Sequence, residues 1–500
     1  MQKEINRFHT AMACILTGLI VLLHSTCTVH ASDAAGINIP DPVLKKAIME
    51  TLDLSGDEIT GADAARLTEL VYDGNEEEEQ ISDLTGLSEF TSLKKLDVHG
   101  NSDIRDLTPL QGLDSLESLD VHGDILISDL EPLAGLKNLR ELNLEKTYGI
   151  RDISVLRELN RLESLNLRQD YQIRDLAPIK ELTGLKSLDL SYMQLDDLDW
   201  LRDFSGLTVL QLEGNRIADT GPLQDLADLV ELNLYDNRVR DIAPLAGLTR
   251  MEKLNLGYNQ IESVSPLEGM DRMTELCLCG NKIKDISPLQ KMEGLKILNL
   301  DGNAVDSISV LEKMTDMEEL TVTESGITDL SPLRNMTGMR KLELRGNRIK
   351  NISALRGMTE MVYLGLAENR ISNISALRDM TKISRIEIWS NQISNISPMR
   401  GMTAMTHIEI NDNKIKDISA LQNMEKLDYL EIDNNRIADL SPLAKTTRVR
   451  TLFLSNNRIK DVSPLSGLER LFWVELSGND VSDFSPLQGK ESLEYLGTDK

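Results

Sequence analysis

Apolar and polar positions along this chain return with a fixed beat. The order Leu-Xaa-Leu-Xaa-Xaa-Asn-Xaa-Ile-Xaa-Asp-Ile-Ser-Pro-Leu recurs almost to the end, with a clear copy at Leu232 to Leu245. The proline-like position falls at Gly86, Pro109, Pro132, Val155 and Pro178, spaced by 23 residues, and then keeps 22-residue spacing to Pro486. The extra residue of the longer units lies between the Asn-like position and the Ile, as in Asp124-Ile125-Leu126-Ile127. Such self-similarity predicts a solenoid, because one unit cannot bury its apolar face alone. In Leu-Xaa-Leu both apolar residues point inward, since strand side chains alternate. The pattern gives 18 complete strands, from Leu96-Asp97-Val98 to Val474-Glu475-Leu476. The Asn turns the chain, and its amide can bond neighbouring backbone groups as a ladder along the stack. Asn holds this position in 12 of the 13 repeats from Asn215 to Asn479, with Ser325 as the exception. Ser-Pro-Leu predicts a short helical or 3₁₀ turn on the convex side. Parallel strands ~4.8 Å apart then make an arc on the order of 80–90 Å.

Residues 36–68 lie outside the beat. Asp41-Pro42 reads as a helix start, followed by Val43, Leu44, Ala47, Ile48 and Leu52 at helical spacing. Thr60 and Asp63 resemble a capping box ahead of Ala64, Leu67 and Leu70. Two small helices here would cap the apolar edge of the first repeat. The acidic run Glu76 to Glu79 reads as a solvated loop. Met270, Met292, Met314, Met336, Met358, Met380, Met402 and Met424 substitute for Leu in one register and read as core filling.

The N-terminus changes the picture of location. Lys3 and Arg7 precede an apolar stretch, Ala11 to Leu23, that is short for a membrane span, and Val29-His30-Ala31 resembles a cleavage site. Lipidation at Cys27 is the alternative. The expected organisation is a signal peptide at 1–31, a cap and linker at 32–80, and a solenoid of about 18 repeats of 22–23 residues at 81–500. Only Cys277 and Cys279 lie beyond the leader, so no disulfide scaffold is expected. The net charge of −27 argues against nucleic-acid backbone binding and favours basic or cation-bridged partners.

The LxxLxLxxNxIxDISPL unit and the segments Ile39-Pro40-Asp41-Pro42-Val43-Leu44 and Ile59-Thr60 to Leu70 resemble bacterial leucine-rich-repeat proteins of the internalin type. The resemblance implies an α/β solenoid: a right-handed horseshoe with a parallel concave sheet, a 3₁₀ or short helical convex side and an N-terminal helical cap. It also implies export and protein binding on the concave sheet. Internalins often continue into an immunoglobulin-like domain and a wall-sorting tail, and this sequence has no LPxTG-like motif. Phosphatase-regulating proteins of eukaryotes share the repeat type, but the leader argues against that role.

Concave positions are the residue before Leu-Xaa-Leu, the middle one and the one after. Across the first twelve strands these hold one aromatic, Tyr235; across the last six they hold Tyr363, Trp389, Tyr429, Phe453 and Trp473. Exposed aromatics on a polar strand face favour a covering partner. With Arg385, Glu387, His407, Glu409, Glu431 and Glu475 around them, they form the candidate protein-binding patch. Two alternatives stay open: ring packing along the sheet without a ligand, and stacking on a carbohydrate or cell-wall polymer. The Glu387, Glu409 and Glu431 column reads as a solvated acidic stripe rather than a calcium site. Asp97, His99, Asp120 and His122 are in register, a pattern that repeat duplication generates without zinc. No cofactor is expected. Neither a phosphate-cradling glycine loop nor HExxH nor GxSxG occurs, so catalysis is not expected. Asn335, Asn351, Asn373 and Asn395 match glycosylation sequons that the repeat itself creates. Val481, Phe484, Leu487, Leu493 and Leu496 begin a unit without a polar cap, which predicts fraying after about Ser492 or a homotypic contact there.

Overall fold

The computed structural model describes residues 36–75 and 79–499. The leader reading at 1–31 and Glu76–Glu78 of the acidic run lie outside the described residues. Helix α1 (Pro42–Thr51) starts where expected, with the Asp41 carboxylate accepting from the Val43 and Leu44 amides at 2.9 Å. The other oxygen of Asp41 accepts from the Ser82 and Asp83 amides at 2.8 and 3.1 Å, tying the cap to the first repeat. Burial works to raise the Asp41 pKa, but the hydrogen bonds from Leu44, Ser82 and Asp83 outweigh it and hold the group below its usual range. Helix α2 (Gly61–Ala64) carries the reciprocal Thr60–Asp63 capping box.

Every repeat contributes one three-residue strand to a single parallel sheet. The repeat strands run from β2 (Lys95–Asp97) to β19 (Trp473–Glu475), each paired in register with the next. Two further strands extend the 18 read from the pattern. The cap supplies β1 (Glu69–Val71), which pairs with β2, and β20 (Tyr495–Gly497) pairs with β19. Where fraying after about Ser492 or a homotypic contact is expected, the chain forms the paired strand β20. The Ser492 hydroxyl donates to the Glu469 and Leu471 carbonyls at 2.7 and 2.8 Å, and the backbone stays in register through Gly497. The 3₁₀ turns sit where Ser-Pro-Leu stands, as at Ser287–Lys291. The residue two ahead fixes the turn: Asp285 accepts from the Ser287 amide at 2.8 Å, Asn351, Asn373 and Asn395 do the same in their repeats, and Ser263 and Ser307 do so through their hydroxyls. The methionine column from Met270 to Met424 is buried to 1% exposure or less, as core filling requires.

The asparagine ladder is the main polar element of the interior. Asn369 donates to the Leu344, Leu366 and Ala367 carbonyls at 3.0–3.2 Å and accepts from the Ile349 amide at 2.9 Å. The residue before each slot takes a left-handed conformation, glycine at Gly346 and a side-chain-bearing residue at Glu368 and Ser390. In the 23-residue units the slot holds Asn101, Asp124, Thr147 and Asp170, and in the first 22-residue unit Met193, all buried. Burial raises the carboxyl of Asp124 to about 9 and that of Asp170 to about 8. Both oxygens of Asp124 lack a hydrogen-bond partner. Protonation removes the charge from these buried acids, which lowers the cost of holding them in the slot.

Two outcomes follow for stability. Asn369→Ala leaves one amide and the turn carbonyls unmatched in the interior and should cost ~2–4 kcal/mol in urea unfolding. Asp124 releases its proton near 3.8 when unfolded and only near 9 when folded, so its contribution falls as pH rises between these values. Asp124→Asn should therefore raise the melting temperature at pH 7 and lose that advantage at pH 4. An equal effect at both pH values would show that the carboxyl is not held neutral.

Candidate interaction surface on the concave face

The inward Leu residues leave three outward positions per strand, and the parallel register stacks like positions into columns. In the first column lie Tyr363, Arg385, His407, Tyr429, Thr451, Trp473 and Tyr495. In the second lie Glu387, Glu409, Glu431, Phe453 and Glu475. His407 stacks on Tyr429 at 4.1 Å between centroids and 5° between planes. Tyr429 continues to Phe453 at 5.7 Å, Phe453 to Trp473 at 6.4 Å, and Trp473 stacks on Tyr495 at 3.9 Å. Phe453 carries the row across Thr451 from the neighbouring column. The Arg385 guanidinium lies 6.0 Å from the Tyr363 ring, at the edge of cation–π range.

The carboxylates are tied to this row. Arg385 donates to Glu387 at 2.6 Å and to Glu409 at 3.4 Å, and His407 Nε2 lies 2.8 Å from Glu409. The Tyr429 hydroxyl donates to Glu431 at 2.9 Å, and the Tyr363 hydroxyl to Glu343. Glu475 accepts from Ser477 and from the Tyr495 hydroxyl at 3.0 Å. Burial, then repulsion from Glu409 and Asp412, pushes the Glu431 carboxyl up. Asp433 rises to about 6, first from burial and then from Glu431 and Glu475, with the Ser455 amide opposing. Arg385 thus neutralises one end of the acidic column and leaves the other end uncompensated.

Ten of the eleven candidate residues form this connected surface. Trp389 stands apart in the third column, and among the described residues its ring stacks on no other. The sequence reading missed three contributors. Tyr495 lies 22 residues beyond Trp473, so the register alone points to it. Glu343 and Asp433 carry no such signal, because their roles depend on which neighbours their side chains reach.

Elsewhere, His99 and His122 stack at 4.3 Å, each with Nδ1 on its own strand's aspartate at 2.6–2.7 Å. That arrangement pairs each imidazole with a carboxylate. Among the described residues no group of three or more His, Cys, Asp or Glu is placed to hold a metal ion, and no helix is long and apolar enough to cross a membrane.

A family model described as leucine-rich repeats in two copies matches residues 228–269, 271–313 and 403–445. This chain is a leucine-rich-repeat solenoid. No curated protein matches it. Among solved structures, a leucine-rich-repeat protein of Leptospira interrogans is similar at 18% identity and TM-score 0.54, over 84% of this chain and all of that one. The functional domain of InlJ from Listeria monocytogenes is similar at 20% identity and TM-score 0.56, over 67% and 73% of the two chains. The ectodomain of the Arabidopsis thaliana receptor kinase GASSHO1/SCHENGEN3 is similar at 20% identity and TM-score 0.65, over 81% of this chain. The match spans 55% of that ectodomain's length, and at these identities the likeness speaks to the fold of the solenoid.

Carboxylate coupling within the patch is testable. Glu431→Gln removes one of the charges that disfavour ionised Asp433, so its titration should move below about 6. Carboxyl NMR titration reads this shift, and an unmoved Asp433 would leave its perturbation to burial and Glu475.

Proposed function

We propose that this solenoid is a non-catalytic, exported protein-binding scaffold of the internalin type, which holds its ligand on the C-terminal half of the concave face. The contact residues are Tyr363, Arg385, Glu387, Trp389, His407, Glu409, Tyr429, Glu431, Phe453, Trp473 and Glu475. The observation that carries the reading is the continuous row from His407 to Tyr495, flanked by carboxylates and set on a rigid sheet. Rings held in place by stacking lose little conformational freedom on binding, which is where aromatic hot spots gain their strength. The uncompensated carboxylates suit a partner that brings Lys or Arg to the same surface. The plant ectodomain above was solved in complex with Casparian strip integrity factor 2, a use of the same fold to hold a second molecule. Export rests on the basic start, the short apolar stretch and the cleavage-like site within residues 1–31.

Capture from host and bacterial surface extracts with residues 32–500 tests the reading, against a folded Trp389→Ala, Tyr429→Ala, Trp473→Ala variant. A protein retained by the parent and lost by the variant is the expected outcome. Partners retained equally would assign the rings to packing along the sheet. A glycan-array signal lost in the variant, without a protein partner, would move the assignment to carbohydrate.

A further inference from the structure

A second chemistry sits on the same sheet, far from the aromatic row. Cys277 ends strand β10 (Glu275–Cys277), and Cys279 follows two residues on, so both side chains face the concave side. Their sulfurs lie 3.2 Å apart, and both thiols are free. The surroundings make this pair distinct from two incidental small residues. Cys277 occupies the column of Asn233, Asn255 and Asn299, whose side-chain oxygens each accept the amide two residues on, at 3.0–3.1 Å. Cys277 sets a sulfur where these strands place an amide oxygen. Gly257 makes room beside the pair: a Cβ there would lie 2.7 Å from the Cys279 sulfur and 2.8 Å from the Tyr235 ring. Tyr235 and Cys279 thus close over the missing side chain, and Cys279 is only 5% exposed. Cys277 looks onto an open concavity of about 340 Å³ lined by Asn233, Asn255 and Asn299.

We propose that Cys277 and Cys279 form a two-thiolate chelating site for a thiophilic d¹⁰ cation of the zinc group. Geometry favours chelation over a disulfide. Residues two apart on an extended strand have Cα atoms ~6.6 Å apart, at the upper limit of the ~4.4–6.8 Å that a disulfide accepts. A tetrahedral ion with metal–sulfur bonds of ~2.3 Å spans its two sulfurs by ~3.8 Å. The observed 3.2 Å opens to that bite through the side-chain torsions of the pair. Binding the cation as two thiolates releases the thiol protons of Cys277 and Cys279 to solvent. Soft sulfur donors select such ions over calcium or magnesium. Two donors leave the other coordination positions open to the concave space, where a donor from a bound partner can complete them.

The test uses Cd²⁺ as probe on the reduced full chain with Cys14→Ser and Cys27→Ser, so that only this pair remains. One Cd²⁺ per chain by native mass spectrometry, with thiolate-to-metal charge-transfer absorption, is expected. Both signals should be lost in Cys277→Ser and in Cys279→Ser, checked for unchanged melting. Should a serine variant not fold, the same parent alkylated at Cys277 in the folded state serves instead and should also lose the ion. Cadmium retained by a serine variant or by the alkylated chain, or no charge-transfer band in the parent, overturns the site.

Discussion

A buried side-chain amide at each inward turn is the interaction on which the rest of this structure depends. Each strand is three residues long, too short to hold itself, and the chain must reverse direction inside an apolar stack. Asn281, for example, donates to the Leu256, Leu278 and Cys279 carbonyls, and the next rung, Asn303, accepts from the Ile283 amide. One side chain therefore satisfies groups in its own turn and in the preceding repeat. This locks the register between neighbours, and the left-handed residue before each slot aims the amide inward. Leucines and methionines supply most of the burial, but they are interchangeable and non-directional; the amide decides where one repeat sits against the next.

Locked register turns the concave face into columns, and the columns create the surface chemistry. Tyr429 stacks on His407 because the sheet places them side by side, one strand apart. The same geometry forces Glu387, Glu409 and Glu431 into a line they cannot leave, and their mutual repulsion persists in the folded state. Like columns yield unlike chemistry along the sheet: imidazole–aspartate pairs near the cap, a dithiol in the middle, rings and carboxylates toward the C-terminal end.

Much of this was legible in the residues. The strand positions, the asparagine ladder and the 3₁₀ turns follow from local rules that the repeats state many times over, and the cap helices follow from their own capping signals at Asp41-Pro42 and Thr60–Asp63. The cap strand Glu69–Val71 was not legible, because Leu70 is its one buried position and carries no periodic signal. The order of Tyr495–Gly497 was hidden for a related reason. An incomplete unit looks uncovered in the pattern, yet it pairs with the strand before it and stacks its ring on Trp473. Trp389 shows the converse: composition grouped it with the other aromatics, and the columns separate it from them.

By itself the sequence determined the period, the inward and outward positions and the residue that turns the chain, since repetition makes each of these a local choice confirmed in neighbouring units. Only the tertiary structure decided which outward side chains meet. Those contacts cross from one strand to the next between residues about 22 apart, and they depend on rotamers, burial and the charge left unpaired. The slot acids Asp124 and Asp170 put the distinction in one place. Their position follows from the repeat, whereas the upward push on their carboxyls follows from the interior that the stacked repeats enclose around them.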